Sequence, residues 1–438
     1  MTNDAPTPPS FREALAFWLR LGFISFGGPA GQIAILHDYL VEKKRWIHPS
    51  KFFHALNYCM LLPGPEAQQL ATYTGWMLHG WRGGLAAGIL FVLPSALLLW
   101  VLSVLYVSFG QMPAIQSALA LLKPTVLAIV VVSILKIGQK SLSGPMQYAV
   151  AALAFLAIYV FGAPFPLIVI GALVTGRLIH VFGGKKQDLS GGASRLQADR
   201  EGAYFIDSNT VVPGSGFVPR HFFRQVLVAC ALWGLPLTGL YFFAPPFDFW
   251  KNLSLFFSKA ALVTFGGAYA VLPYVAQVSV EKYGWLSQME MLDGLALGES
   301  TPGPLIIVLA FVGFMAGYHT FGGSVPAGSL ALGLTVFYTF LPSFFFILAG
   351  APLIERTREH PAVKSVLQYA TAAVAGVMLS LCLYLGQAVL WPGGVWSWLP
   401  LVWMIVSFAA LYFLRINLLS LIAISILCSW LLQVVNVQ

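Results

Sequence analysis

The sequence predicts an all-α polytopic membrane protein made of two homologous repeats of opposite orientation. Three observations predict it. Of 438 residues, 58% are hydrophobic and only 9% are charged, against about 25% charged in a soluble domain. Apolar stretches long enough to cross a bilayer recur along the chain. Two helix-breaking motifs, Pro63-Gly64-Pro65 and Pro302-Gly303-Pro304, interrupt two of those stretches at a separation of 239 residues. Proline removes an amide donor and clashes with the preceding turn. Within lipid such a break is tolerated only where protein or a watery cavity satisfies the freed backbone. A matched pair of interrupted segments, one per half, is a sequence pointer to a transporter binding site.

At about 20 residues per crossing, spans are expected near 13–36, 52–79, 85–108, 114–135, 146–161 and 164–181 in the first repeat, residues 1–182. A polar cytoplasmic linker, 183–221, follows, rich in glycine and serine. A connecting span, 222–244, leads to the second repeat, 245–438, with spans near 252–279, 291–318, 327–350, 364–388, 396–413 and 416–436. The total is about 13 spans, with helices broken at Pro-Gly-Pro and Phe-Gly-Gly. The polar first eleven residues, with Asp4, predict no cleavable signal peptide. Cys59, Cys230, Cys382 and Cys428 lie scattered in apolar spans and form neither a disulfide framework nor a metal-spaced pair. The net charge of +8 reads as basic cytoplasmic loops rather than as a nucleic-acid partner.

The duplication is visible at a constant offset of 239: Phe26-Gly27-Gly28 matches Phe265-Gly266-Gly267, Val41-Glu42-Lys43 matches Val280-Glu281-Lys282, Trp46 matches Trp285, and Gly83-Gly84 matches Gly322-Gly323. After a nine-residue insertion, Leu93-Pro94-Ser95 matches Leu341-Pro342-Ser343. Apolar composition alone aligns leucines and valines, not glycines, prolines and tryptophans.

Six spans plus one turn the second copy over. If every segment crosses, fifteen cations gather with the N-terminus and linker, and five (Lys43, Lys44, Arg45, Lys51, Lys251) on the other side. The positive-inside rule then places the N-terminus and linker in the cytoplasm. The cluster Lys43 to Lys51 strains this pattern. A re-entrant first segment in both copies, folded back at Phe26-Gly27-Gly28 in the first, is the alternative, and it places Arg356, Arg358 and Lys364 outside; the spanning arrangement is the expectation.

Inversion gives the breaks a use. A half-helix is expected to begin after each Pro-Gly-Pro, and its N-terminus carries unpaired amides and about half a positive charge. Two such ends aimed at one cavity form an anion site. Ser300 and Thr301 are placed to cap one half-helix or touch the anion, and Gln68 and Gln69 stand one turn past the other break. Phe26, Gly27, Gly28, Phe265, Gly266 and Gly267 are a second pair of breaks, able to lend amides or simply to pack closely. Arg20 and Lys259 are repeat mates about 10 Å into their spans. They are read as cations of the pathway, with snorkelling to the headgroups as the bland reading. Removal of either is expected to abolish transport. Lys123 is a weaker candidate, since its mate is Thr371. Glu66 and Glu299 flank the breaks without being mates and are candidates for proton coupling. Asp293 and the histidines form no cluster in the sequence. No catalytic triad, metal-spaced ligand set or Walker loop is present, so neither an enzyme nor a cofactor is expected. Energy must come from an ion gradient, the membrane potential or exchange.

At Phe26-Gly27-Gly28-Pro29, Val41-Glu42-Lys43-Lys44-Arg45-Trp46, Leu62-Pro63-Gly64-Pro65-Glu66-Ala67-Gln68-Gln69 and Pro94-Ser95, with their second-half echoes, the chain resembles the chromate ion transporter (CHR) family in its long, two-domain form. The resemblance covers nearly the whole chain apart from the linker. It implies export of chromate across the bacterial inner membrane and chromate resistance, with sulfate as the related oxyanion and halves of opposite orientation. The residues themselves specify an anion site and not chromate. A sulfate or other oxyanion carrier working inward or by exchange, and an anion channel, stay open. The expected partners are chromate or sulfate and the lipid bilayer, with a homodimer among the admissible assemblies.

Overall fold

The computed structural model describes residues 8–26, 28–110, 112–182, 204–207, 210, 218–265, 267–354 and 361–436. Gly27, Gly266 and most of the expected linker lie outside the described residues. The described chain is all-helical, apart from one isolated β-bridge.

The first repeat opens with α1 (Phe11–Ile24), capped by Ser10 Oγ, which accepts from Glu13 N. The chain breaks at Ser25 and Phe26 and resumes as α2 (Gly28–His37), with Gly28 at φ +72°. α2 ends in a π-helical turn, Asp38–Lys43. Next come α3 (Pro49–Cys59), the Pro-Gly-Pro turn, and α4 (Glu66–Phe109). α4 is two arms in one: His79 and Gly80 leave helical geometry, Gly80 at φ +61°. The repeat closes with α5 (Pro113–Ala120), α6 (Leu122–Ser141), α7 (Pro145–Tyr159) and α8 (Phe165–Phe182). α9 (Pro219–Phe243) connects the repeats.

The second repeat follows the same succession. α10 (Phe247–Leu262) breaks at Thr264 and Phe265 and leads to α11 (Leu272–Ala276). The π-helical turn Gln277–Lys282 falls 239 residues after its mate. α12 (Gln288–Ser300), a 3-10 turn Leu305–Ile307 and α13 (Val308–Thr320) surround the second Pro-Gly-Pro. α14 (Val325–Ile354), α15 (Pro361–Leu390), α16 (Trp398–Tyr412) and α17 (Leu418–Asn436) complete it.

The expected spans 13–36, 52–79, 252–279 and 291–318 are each two short arms. The longest of α1, α2, α3, α10, α12 and α13 has 16 residues, about 24 Å at 1.5 Å per residue, short of a hydrocarbon core of about 30 Å. More telling, the two ends of a broken segment meet. Lys44 Nζ lies 2.7 Å from Glu13 Oε1, so the chain after α2 returns to the start of α1. His79, at the end of the first arm of α4, lies 3.0 Å from the carbonyl of Pro9. In the second repeat His319 pairs with Glu290 at 3.0 Å, joining the ends of α12 and α13. Trp250 stacks on Phe321, and Phe249 packs on Trp285. Each broken segment is therefore a helical hairpin with the break at its tip. The spanning arrangement expected for 13–36 does not fit this geometry; the folded-back alternative does. The Lys43–Lys51 cluster lies beside the linker: Ile47 bridges Ile206, and His48 N donates to Ile206 O at 2.9 Å.

Five helical stretches among the described residues are long and apolar enough to cross a membrane, including Glu66–Phe109, Pro219–Phe243 and Val366–Leu390. α4 and α14 pack antiparallel at the centre: Gly84 faces Leu348, Gly88 faces Phe344, and Trp100 Nε1 donates to Ser329 Oγ. The hairpin ends gathered at Pro9, Glu13, Lys44 and His79 lie at one end of this pair, and those at Phe249, Trp285 and Phe321 at the other. The outer helices are exchanged between repeats. α7 and α8 pack on α15, while α16 packs on α6 and α17 on α5 and α6. Gly376 permits the α7 contact, since a Cβ there would strike the carbonyl of Ala151.

Candidate functional site

The four hairpin tips meet in two pairs, each joined by a backbone hydrogen bond between the repeats. Gly64 N donates to Thr264 O at 2.8 Å, and Gly303 N donates to Ser25 O at 2.8 Å. Residues 25 and 264 are mates at the 239 offset, as are 64 and 303, so each Pro-Gly-Pro turn is clasped by the other repeat. The carbonyls are free to accept because α1 and α10 have just ended: Ser25 Oγ and Thr264 Oγ1 turn back onto Leu21 O and Ala260 O, each at 2.6 Å. Both turn glycines need positive φ, +125° at Gly64 and +93° at Gly303, a region favoured by glycine. Both are also tightly covered. A Cβ at Gly64 would meet Ser343 Oγ, and one at Gly303 would meet Ser95 Oγ. Ser95 and Ser343 are themselves repeat mates.

The half-helices begin where the sequence predicts, α4 at Glu66 after Pro65 and the 3-10 turn at Leu305 after Pro304. Neither has a side-chain cap, so first-turn amides stay oriented toward the tips. The amides of Gly64 and Gly303 are taken up by the clasp. The Phe26 and Phe265 breaks contribute carbonyls to it, where amides were expected. Pro63 is half-buried, whereas Pro65, Pro302, Gly303 and Pro304 are buried.

The side chains around the clasp are unequal. Gln32 Nε2 donates to Gly303 O at 2.6 Å, Gln69 Nε2 to Pro63 O at 2.7 Å, and Gln68 Nε2 to Thr72 Oγ1 at 3.0 Å. Gln68 Oε1 and Gln69 Oε1 are buried with no partner among the described residues. Glu299 Oε1 accepts from the Tyr269 hydroxyl at 2.8 Å. Ser300 and Thr301 do not cap the following half-helix: their hydroxyls donate back to Ala296 O and Gly298 O of α12. Arg20 and Lys259 are exposed, each five residues before its tip carbonyl.

Sequence reasoning missed Gln32 and Tyr269, which carry no local motif. It also left Asp293 without a partner. In the structure Lys123 Nζ of α6 lies 3.4 Å from Asp293 Oδ1 of α12, and the Tyr106 hydroxyl of α4 donates to Asp293 Oδ2 at 2.9 Å. The only early signal was a lysine inside an apolar span.

The sequence that forms these two repeats is similar to those of known proteins. The family described as Chromate transporter matches residues 12–177 and 251–430, once in each repeat. The chain is 30% identical over 393 residues to a chromate transport protein of Pseudomonas aeruginosa, covering 88% of this chain and 83% of the relative. It is 25% identical over 382 residues to a probable chromate transport protein of Synechococcus elongatus, covering 86% and 85%. It is 26% identical over 386 residues to a chromate transport protein of Cupriavidus metallidurans, covering 88% and 84%. No solved structure matches the chain. With both repeats matched and apolar helices throughout, the chain is a multi-pass membrane protein and belongs to the chromate transporter family.

Proposed function

We propose that the protein is a secondary transporter that carries chromate out of the cytoplasm by alternating access, with the clasped tips as the binding locus. The reciprocal hydrogen bonds at Gly64 and Gly303 carry this reading. They bring breaks from both repeats to one place, and the antiparallel packing of the mates α4 and α14 supports inverted repeats around it. Uncapped first-turn amides after Pro65 and Pro304 supply positive ends for a tetrahedral dianion. Carbonyl ends of α1 and α10 share the locus and suit a proton or another cation moving in exchange for it. Glu299, held by Tyr269, and Glu66 are the proton candidates.

Four hairpins leave nine crossings: the second arm of α4, then α6, α7, α8, α9, α14, α15, α16 and α17. In this topology Lys43, Lys44, Arg45 and Lys51 join the N-terminus and linker in the cytoplasm, beside Ile206. The breach of the positive-inside rule disappears. The bacterial inner membrane rests on the family and on the relatives' bacterial sources. Direction follows from charge. Moving one charge through 100 mV is worth about 2.3 kcal/mol, so a dianion leaves a negative interior with about 4.6 kcal/mol in its favour. Uptake would need several co-transported protons. Chromate as substrate, and resistance as the outcome, rest on the family and on the relatives' names.

Cells expressing the protein test the reading. Export predicts lower chromate accumulation and better survival in chromate than in cells without it, and higher accumulation refutes export. In vesicles a carrier saturates and shows counterflow, with sulfate competing. Current without exchange identifies a channel instead.

A further inference from the structure

Away from the clasp, one charged cluster is used by nothing described above. Lys123, Asp293 and Tyr106 come from three helices and both repeats. They lie at the end of α4 opposite Pro9, which is the outer half in the topology proposed above. The Asp293 side chain is only 4% exposed, while that of Lys123 is 23% exposed. The carboxylate is sealed behind the ammonium, under Tyr106, whose ring packs edge-on against Phe311. The more exposed member of the pair is the cation.

Apolar packing does not account for Lys123. It lies inside the apolar helical stretch Ile115–Ser141, where a partly desolvated ammonium carries a cost. Asp293 offsets that cost, and a bound anion would do so equally. Symmetry does not account for it either, since the mates of Lys123 and Asp293 are Thr371 and His54. Ionisable residues within a membrane usually mark a pathway, and this pair marks one half of it only.

Resting on the transport reading, we propose that Lys123 is the outer-half docking charge for the transported oxyanion dianion. Asp293 is its internal counter-ion: it holds the ammonium when the site is empty and yields it to the dianion. Tyr106 keeps the carboxylate in place during the exchange. The locus is distinct from the clasp, and its repeat mates, Thr371 and His54, offer the inner half no equivalent ion pair.

The test is uptake of labelled sulfate, and its competition by chromate, in vesicles containing the full chain. Lys123→Gln is expected to raise KM about tenfold or more with maximal rate within about threefold, and Lys123→Arg to stay close to wild type. Asp293→Asn, which frees the ammonium, is expected to lower KM and slow turnover. Lys123→Gln/Asp293→Asn is expected to behave like Lys123→Gln alone. Recovery of wild-type KM in that double variant would show a merely structural pair and overturn the proposal. So would an unchanged KM in Lys123→Gln. Should Lys123→Gln not reach the membrane, a wild-type KM in Asp293→Asn overturns it and a lowered one supports it. Wild-type protein inert toward both oxyanions would instead overturn the transport reading itself.

Discussion

The two Pro-Gly-Pro turns are nearly the same in backbone and quite different in side chain. Gly64 and Gly303 share positive φ, a covering serine and a hydrogen bond to the opposite repeat. Around them the first repeat supplies Gln32, Gln68 and Gln69, where the second has Val271, Ile307 and Val308. The second supplies Tyr269 and Glu299, where the first has Ala30 and Met60. The duplicated part is the scaffold that holds broken helices together. The residues proposed for the chemistry are not duplicated, an asymmetry that suits the proposed carrier, whose one face is to load and the other release.

The backbone half of this comparison predicts the largest effect. Gly64→Ala and Gly303→Ala should each abolish transport, by about a hundredfold or more. A side chain at these φ values costs about 1–3 kcal/mol in strain, and the Cβ also meets Ser343 Oγ or Ser95 Oγ. If the scaffold is symmetric, the two losses should be equal. Retention of activity in one of them, measured as vesicle uptake, would show that only one clasp matters.

The side-chain half predicts unequal losses. Glu299→Gln should reduce rate about tenfold or more and remove its response to an imposed proton gradient. Glu66→Gln should do less, because Glu299 alone is held by a tyrosine hydroxyl. Equal effects would mean that both acids work, and an intact gradient response in both would end the coupling idea. Smaller again, Gln32→Val copies the second repeat into the first. It leaves Gly303 O without its 2.6 Å donor, and an unpaired buried acceptor costs about 1–3 kcal/mol. Uptake about tenfold lower, with normal membrane levels, is the expected result.

The comparison also explains what could be read from the sequence. Pro63-Gly64-Pro65 and Phe26-Gly27-Gly28 were legible because proline and glycine act locally, and because their echoes keep one offset. Whether residues 13–36 cross or turn back was not legible by length: a largely apolar stretch of 24 residues suits one span or two short arms equally. Lys43 to Lys51 strained the spanning path without deciding against it, and the fold-back shows only in the contact of Lys44 with Glu13. The Lys123–Asp293 contact joins residues 170 positions apart with no mates of like charge, so neither periodicity nor repetition exposed it.

The smallest expected effect tests inversion most directly. From sequence, losing Arg20 or Lys259 should abolish transport; their exposure in the structure reduces that to attraction through water. A unit charge and a dianion about 8 Å apart interact by roughly 1 kcal/mol in water, or about fivefold in apparent affinity. Salt of about 0.3 M should erode most of it, since the Debye length is then well under 10 Å. Arg20 sits on a hairpin rooted beside Pro9 and Lys259 on one rooted beside Trp285, at opposite ends of the α4–α14 pair. Arg20→Ala should therefore raise KM only for substrate offered from the cytoplasmic side, and Lys259→Ala only from the outer side. Inside-out and right-side-out vesicles separate the two cases. Should both variants weaken uptake from the same side, the mates would share one vestibule, and the two repeats would have to run through the membrane in the same sense.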